Sequence, residues 1–289
     1  MTEKYKLKES FKAHKADFDY CEKIIKKHSK SFYAAFSTLP QQEAMSVYAV
    51  YAFCRKADDI VDETANAEEL NRLKKELALF EKGEEPNHPV WRALRVVFDT
   101  YEMNIEPFYD MIKGQEKDLS FEQPQTQEDL EDYSYYVAGS VGLMLLPLLA
   151  PRADELTDDA IALGVAMQIT NILRDVGEDI DNDRVYLPRE VMEQFGYTTE
   201  MLQNKELNLA FINLWEHEAT IAEEYYEQGM NLIVHMYDYA KKPLLLSLLF
   251  YKEILEAVRL SDYNSLTKRN SVSTKRKLSL LREATSILK

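Results

Sequence analysis

The chain has 289 residues, of which 46% are hydrophobic and 29% charged, with a formal net charge of −15. That length and apolar share allow a substantial core, while the acidic balance argues against nucleic acid as a partner, because phosphate contacts need a basic face. Eight glycines and nine prolines are few punctuators for such a chain, so long helices joined by short connections are expected.

Residues 1–16 form an N-terminal extension with no apolar stretch of the signal-peptide kind. The patterning then predicts a first helix over 17–36, closed by Ser37-Thr38-Leu39-Pro40, and a second over about 41–63. Helices over 70–81 and 90–101 follow, separated by Gly83 and Pro86-Asn87-His88-Pro89, and then 105–118 and 127–149, broken at Gln123-Pro124-Gln125. A helix over 158–179 runs into the polar loop Asp181-Asn182-Asp183-Arg184, and Pro188 opens a short one. A long helix is predicted over about 206–239, with two more beyond Pro243 and Ser273. No stretch alternates with period 2 for long enough to suggest a sheet, and no linker marks a boundary, so 17–289 reads as a single all-α domain. The longest apolar stretch, 141–150, is far short of the roughly 18 residues of a membrane span. Cys21 and Cys54 read as small buried thiols in a reducing cytoplasm.

Two aspartate clusters lie 117 positions apart, Asp58-Asp59-Ile60-Val61-Asp62 and Asp175-Val176-Gly177-Glu178-Asp179. Each sets carboxylates at i and i+4, one turn apart on one helical face, where like charges cost a few tenths of a kcal/mol unless a cation sits between them. Mg²⁺ suits such oxygen donors and is often held by one or two carboxylates plus substrate phosphates. Tyr48, Tyr51, Arg55, Asp58 and Asp62 make one stripe on the second helix; Gly164, Gln168, Asn171, Asp175 and Asp179 make another on the 158–179 helix. Ala162, Val165, Ile169, Ile172 and Val176 leave the latter helix largely apolar, so its polar stripe needs partners and is expected to line a cavity. A single Asp-x-x-x-Asp is usually a solvated face; two, each extending a polar stripe, favour a metal-bound polyphosphate site. Alone, His28-Ser29-Lys30-Ser31-Phe32 reads as a polar patch, and Arg184, Tyr186 and Lys275-Arg276 as surface. Gly139 and Gly142 inside an apolar helix point either to close helix approach or to room for a ligand.

The segments 28–32, 51–62, 136–142 (Tyr-Val-Ala-Gly-Ser-Val-Gly) and 168–179 (Gln-Ile-Thr-Asn-Ile-Leu-Arg-Asp-Val-Gly-Glu-Asp) together resemble the squalene/phytoene synthase family, in order over about 18–285. Within it they are most similar to the bacterial dehydrosqualene (diapophytoene) synthases. The resemblance implies an isoprenoid-synthase helical bundle with a central cavity. It implies head-to-head condensation of two farnesyl diphosphates, through presqualene diphosphate, to dehydrosqualene for C30 carotenoids. Two or three Mg²⁺ ions would be held by Asp58, Asp62, Asn171, Asp175 and Asp179, with no NADPH. His28, Ser29, Lys30, Ser31, Tyr51, Arg55, Gln168, Arg174, Tyr251 and Arg276 would complete the substrate shell. Phe32, Phe36, Tyr48 and Val137 would line the prenyl tunnel; Tyr133, Tyr51 or the diphosphate itself would steady charge or accept the proton. Prenyl diphosphates are the expected partners, and product release leaves room for peripheral membrane contact. Other readings are a phytoene synthase using two C20 substrates, an NADPH-dependent squalene synthase, a head-to-tail elongase or cyclase, and an inactive helical assembly factor. Reductive squalene synthases often carry a C-terminal anchor, and none is visible before Lys289.

Overall fold

In a computed structural model the described residues are 9–62 and 65–288, the side chain of Asp62 excepted. The side chain of the predicted metal ligand Asp62 and the first eight residues of the 1–16 extension therefore lie outside the description. Among the described residues there is no strand, as the scarcity of glycine, proline and period-2 patterning requires.

The predicted first helix is two, α1 (Lys15–His28) and α2 (Lys30–Phe36), because Ser29 leaves the helical region at φ −140°, ψ 85°. Serine competes for backbone hydrogen bonds and tolerates such a break, and the adjoining hydroxyl of Ser31 is tied down by Lys277 at 3.0 Å. The first aspartate cluster ends α3 (Gln41–Asp62). Then come α4 (Ala67–Glu81), capped by the Asn66 side chain, and α5 (Pro89–Thr100), capped by His88 with proline in its first turn. After α6 (Glu106–Leu119), a Thr126/Asp129 capping box opens α7 (Gln127–Ser134). The chain passes through a π-helical turn, Tyr135–Gly139, into α8 (Ser140–Leu149). The second cluster lies near the end of α9 (Thr157–Asp181). Short α10 (Arg189–Gln194) and α11 (Thr199–Gln203) lead to α12 (Leu209–Met230).

The helix predicted over 206–239 stops at Met230. One turn, α13 (Leu232–His235), separates it from α14 (Asp238–Arg259), and α15 (Thr274–Ile287) is capped by Ser273. The break is held by the Tyr237 N–H donating to the Leu149 carbonyl at 2.9 Å, a tertiary bond that no local punctuation announces. Pro243 opens nothing: it sits inside α14, close enough to the start that it forfeits a single early hydrogen bond.

At the centre, α9 packs against α12, α8, α14 and the π-helical turn. Buried Trp215 of α12 donates its indole N–H to the Leu173 carbonyl at 3.0 Å. The glycines allow close approach, and Gly142 and Gly164 also line the central cavity. A Cβ on Gly142 would lie 2.6 Å from the Ala160 carbonyl oxygen, and one on Gly164 would lie 2.5 Å from that of Ala138, so α8 and α9 meet backbone to backbone.

Candidate active site

The helices enclose a cavity of about 720 Å³ to which α1–α3, the π-helical turn, α8, α9, α14 and the 269–272 loop all contribute. One region is polar, with His28, Lys30, Asp58, Asn171, Arg174 and Arg269 in its wall; the rest is apolar, ending among Leu149, Leu232, Met236 and Leu244. Those four side chains are buried, so the apolar end is closed. Charged side chains at one end and apolar ones along the rest suit a charged headgroup on a greasy tail.

Of the residues expected at the site, His28, Ser29, Lys30, Ser31, Phe32, Phe36, Tyr51, Asp58, Val137, Gln168, Asn171, Arg174 and Tyr251 all line this cavity. Asp58 accepts a 2.8 Å hydrogen bond from the Gln115 amide, and Gln115 is only 4% exposed. Its neutral donor fixes the carboxylate without cancelling its charge. Burial pushes the Tyr51 hydroxyl well above its ordinary range. The Asn171 amide lies 3.5 Å from Gln168 Oε1.

Asp175 stands directly behind the lining. Arg174 chelates it, Nε donating at 2.8 Å, and Arg269 approaches it at 3.3 Å while holding Glu178 at 2.7 Å. Gly177 makes this possible: its N–H donates to the Ser265 carbonyl at 2.9 Å, pinning the loop that delivers Arg269. Asp179 lies outside the cavity lining, in a small pocket with Arg184 and Tyr186. Burial, and then the neighbouring charges of Asp175 and Glu178, push its carboxyl up to about 8 against the opposing pull of Arg174 and Arg269.

Other expected residues lie elsewhere. Tyr133 is turned from the cavity: its hydroxyl donates to Asp118 at 2.9 Å and its ring stacks on Tyr186. Tyr48 packs on Tyr33, ring centres 5.8 Å apart, and is not in the lining. Arg55 pairs with Asp59 and faces a separate pocket. Arg276 is held by Glu253 at 2.7 Å and Glu283 at 2.6 Å and is not in the lining. Sequence reasoning missed Arg269, Gln115 and Lys277, the last lining the cavity and donating to Ser31.

Among the described residues no three His, Cys, Asp or Glu side chains form a ready-made metal cluster. Mg²⁺ does not require one, since it takes one or two carboxylates and completes its shell with water and substrate phosphate. The donors present are hard oxygens, and Arg174 and Arg269 only partly offset the carboxylate charge around Asp179. The residues therefore fit a divalent metal.

A model of the squalene/phytoene synthase family matches residues 25–279. The chain belongs to that family. Over 272 residues it is 35% identical to the 4,4'-diapophytoene synthase of Staphylococcus haemolyticus, covering 92% of this chain and 95% of that one. It is 34% identical over 277 residues to the 15-cis-phytoene synthase of Synechococcus elongatus, covering 90% of each. A crystal structure of a dehydrosqualene synthase in complex with a ligand superposes with a TM-score of 0.94 at 50% identity, covering 96% of this chain and 99% of that one. The protein is thus a prenyltransferase of isoprenoid biosynthesis with a terpenoid-synthase helical fold. No helix among the described residues is long and apolar enough to cross a membrane.

Proposed function

We propose that the protein joins two farnesyl diphosphates head to head, through presqualene diphosphate, to give dehydrosqualene, with Mg²⁺ and without a nicotinamide. The observation that carries this is the shape of the cavity, polar at one end and closed by aliphatic side chains at the other. Along α9 the lining runs from Ala160 to Arg174, fourteen helical steps or about 21 Å. An extended covalent chain advances about 3.5 Å per three bonds, so farnesyl diphosphate, with about 16 bonds end to end, needs about 19 Å. Geranylgeranyl diphosphate, four bonds longer, needs about 23 Å. The 50% identity to a dehydrosqualene synthase supports the same choice.

When bound, Mg²⁺ neutralises the diphosphate leaving group. Asp58, Asn171, Asp175 and Asp179 are the described groups that would hold it, with Asp62 as the further expected ligand. Lys30, Arg174 and Arg269 supply cationic donors to the same oxygens. Ionisation of one substrate gives an allylic cation, which the double bond of the second attacks; proton loss closes the cyclopropane of presqualene diphosphate. A second ionisation opens that ring, and loss of another proton sets the central double bond. Leu145, Leu146, Leu163 and their neighbours keep water from these cations. Tyr51, the one tyrosine candidate for proton acceptor that lines the cavity, stands beside Asp58, but burial keeps its hydroxyl protonated, so the released diphosphate anion is the better base.

The test is incubation of the purified protein with C15 and C20 prenyl diphosphates and Mg²⁺, with and without NADPH, followed by product identification. Dehydrosqualene without NADPH is expected. Phytoene as the main product, or a strict NADPH requirement, overturns the assignment.

A further inference from the structure

On the opposite side of α3 from the main cavity lies a second pocket of about 500 Å³, walled by α1, α3, the start of α4 and the α5 cap. The two share His28 as a dividing wall. Lys23, Lys27, Arg55 and Lys56 bring four positive charges to it, Asp59 and Glu69 two negative ones. The pairing within this wall is uneven. Asp59 is taken by Arg55, Glu69 by Arg72 at 3.1 Å, and Lys56 by Glu76 at 3.0 Å. Lys23 and Lys27 have no carboxylate within ion-pairing distance among the described residues, while within the Arg55–Asp59 pair the buried Arg55 Nε and Asp59 Oδ1 each lack a hydrogen-bond partner. The unmatched charges facing this pocket are therefore the two lysines, on a chain of net charge −15.

The lysines sit at i and i+4 of α1, about 5–6 Å apart at Cβ, where like charges repel unless an anion lies between them. The dipole at the C-terminal end of α1 favours a cation at Lys27, but its effect fades within the last turn and does not extend to Lys23. An anion with two charged ends would bridge both ammonium groups and reach the Arg55 guanidinium. The pocket's apolar walls, Ile24, Ala52 and Val90, offer no tunnel for a prenyl chain, so the ligand is a bare polyanion.

We propose that this outer pocket binds inorganic diphosphate, as a site distinct from the catalytic cavity. The choice of anion rests on the proposed reaction, which releases two diphosphates beside Asp58; the cationic pocket itself does not. Diphosphate leaving past His28 and Arg55 would be held there, and its accumulation would slow the enzyme.

The experiment is calorimetric titration of the full chain with inorganic diphosphate in EDTA, so that no metal-bound site competes. Wild type is compared with Lys23→Ala/Lys27→Ala and with Lys277→Ala, which alters only the main cavity. Binding that weakens at least tenfold in the double variant and is unchanged in Lys277→Ala is the expected result. No binding to wild type, or binding lost in Lys277→Ala but kept in the double variant, overturns the proposal. In turnover assays the double variant should keep kcat and KM while inhibition by added diphosphate weakens about tenfold; unchanged inhibition also counts against the site. Because the titration needs no catalysis, a protein that binds diphosphate here yet makes no dehydrosqualene refutes the proposed reaction and leaves the pocket standing.

Discussion

Replacing Gly177 with alanine probes the joint between the second aspartate cluster and the loop that carries Arg269. A Cβ at this position would lie 1.9 Å from the Leu266 carbonyl oxygen and 2.4 Å from its carbon, whereas ordinary contact begins near 3.4 Å. The obstacle is backbone, so the 264–266 segment must retreat by about 1.5 Å. Two effects then oppose each other. Alanine gains up to about 1 kcal/mol of helix propensity over glycine. Overpacking costs about 1–3 kcal/mol, and loosening the Gly177–Ser265 hydrogen bond costs about 1 more. The clash wins, and a net loss of roughly 1–3 kcal/mol is expected. Activity should suffer more than stability. Arg269 follows Leu266 by three residues, and a displacement near 1 Å at a positioning group can cost about 10²-fold in rate. Steady-state turnover and urea denaturation of the same preparation separate the two losses. Turnover within threefold of wild type would show that Arg269 is not held in place through Gly177.

Asp58→Asn or Asp175→Asn should lower turnover by orders of magnitude with the circular dichroism spectrum unchanged, since each removes a charge from the leaving-group environment; near-native turnover at saturating Mg²⁺ would sink the metal reading. Gln115→Leu deprives Asp58 of its 2.8 Å donor and should weaken Mn²⁺ binding, read by electron paramagnetic resonance, about 10–100-fold. Phe36→Ala opens the cavity wall and should raise the C40 to C30 product ratio at a cost of about 3–5 kcal/mol, whereas Tyr48→Ala, one layer behind at 5% exposure, should shift it less. Glu218 is fully buried and burial lifts its carboxyl to about 7 from 4.5, so below pH 4.5 it is neutral folded or unfolded, and between about pH 4.5 and 7 only the unfolded chain ionises it and stability falls by roughly 3 kcal/mol. Glu218→Gln should therefore raise the melting temperature at pH 8 and leave it nearly unchanged at pH 4.5; an equal shift at both would assign the effect to packing.

The two aspartate stripes were legible in part because polar residues at helical spacing on otherwise apolar helices must meet something polar: Tyr51 and Asp58 of α3 and Gly164, Gln168 and Asn171 of α9 meet a cavity, while Tyr48 and Arg55 turn away from it. The same rule, applied to α6, would have found Gln115. Phe108, Met111, Gln115 and Asp118 recur at i, i+3, i+7 and i+10, the spacing that singled out Tyr48 to Asp58, and all four are buried. Arg269 carries no such mark: it sits in a loop between α14 and α15, and only the tertiary bond from Gly177 brings it to Asp175. Likewise the turn that ends α12 is not marked by its glycine, since Gly229 lies within the helix against Leu163; the anchor of that turn, the Leu149 carbonyl, lies more than eighty positions away.

The C-terminal basic run shows most sharply what composition leaves undetermined. Lys275, Arg276 and Lys277 are interchangeable by charge, and nothing local ranks them. One residue turns a helix by about 100°, and that rotation alone separates their environments. Arg276 is turned toward Glu253 and Glu283, which take three of its five N–H donors. Lys277 is turned toward the cavity and bridges to Ser31, 246 positions earlier. Which of the three serves the site is set by the phase at which α15 lands on α14. That phase follows from burial of Leu280 and Ala284 at i and i+4: these two apolar anchors, rather than the charges, choose the residue that reaches the cavity.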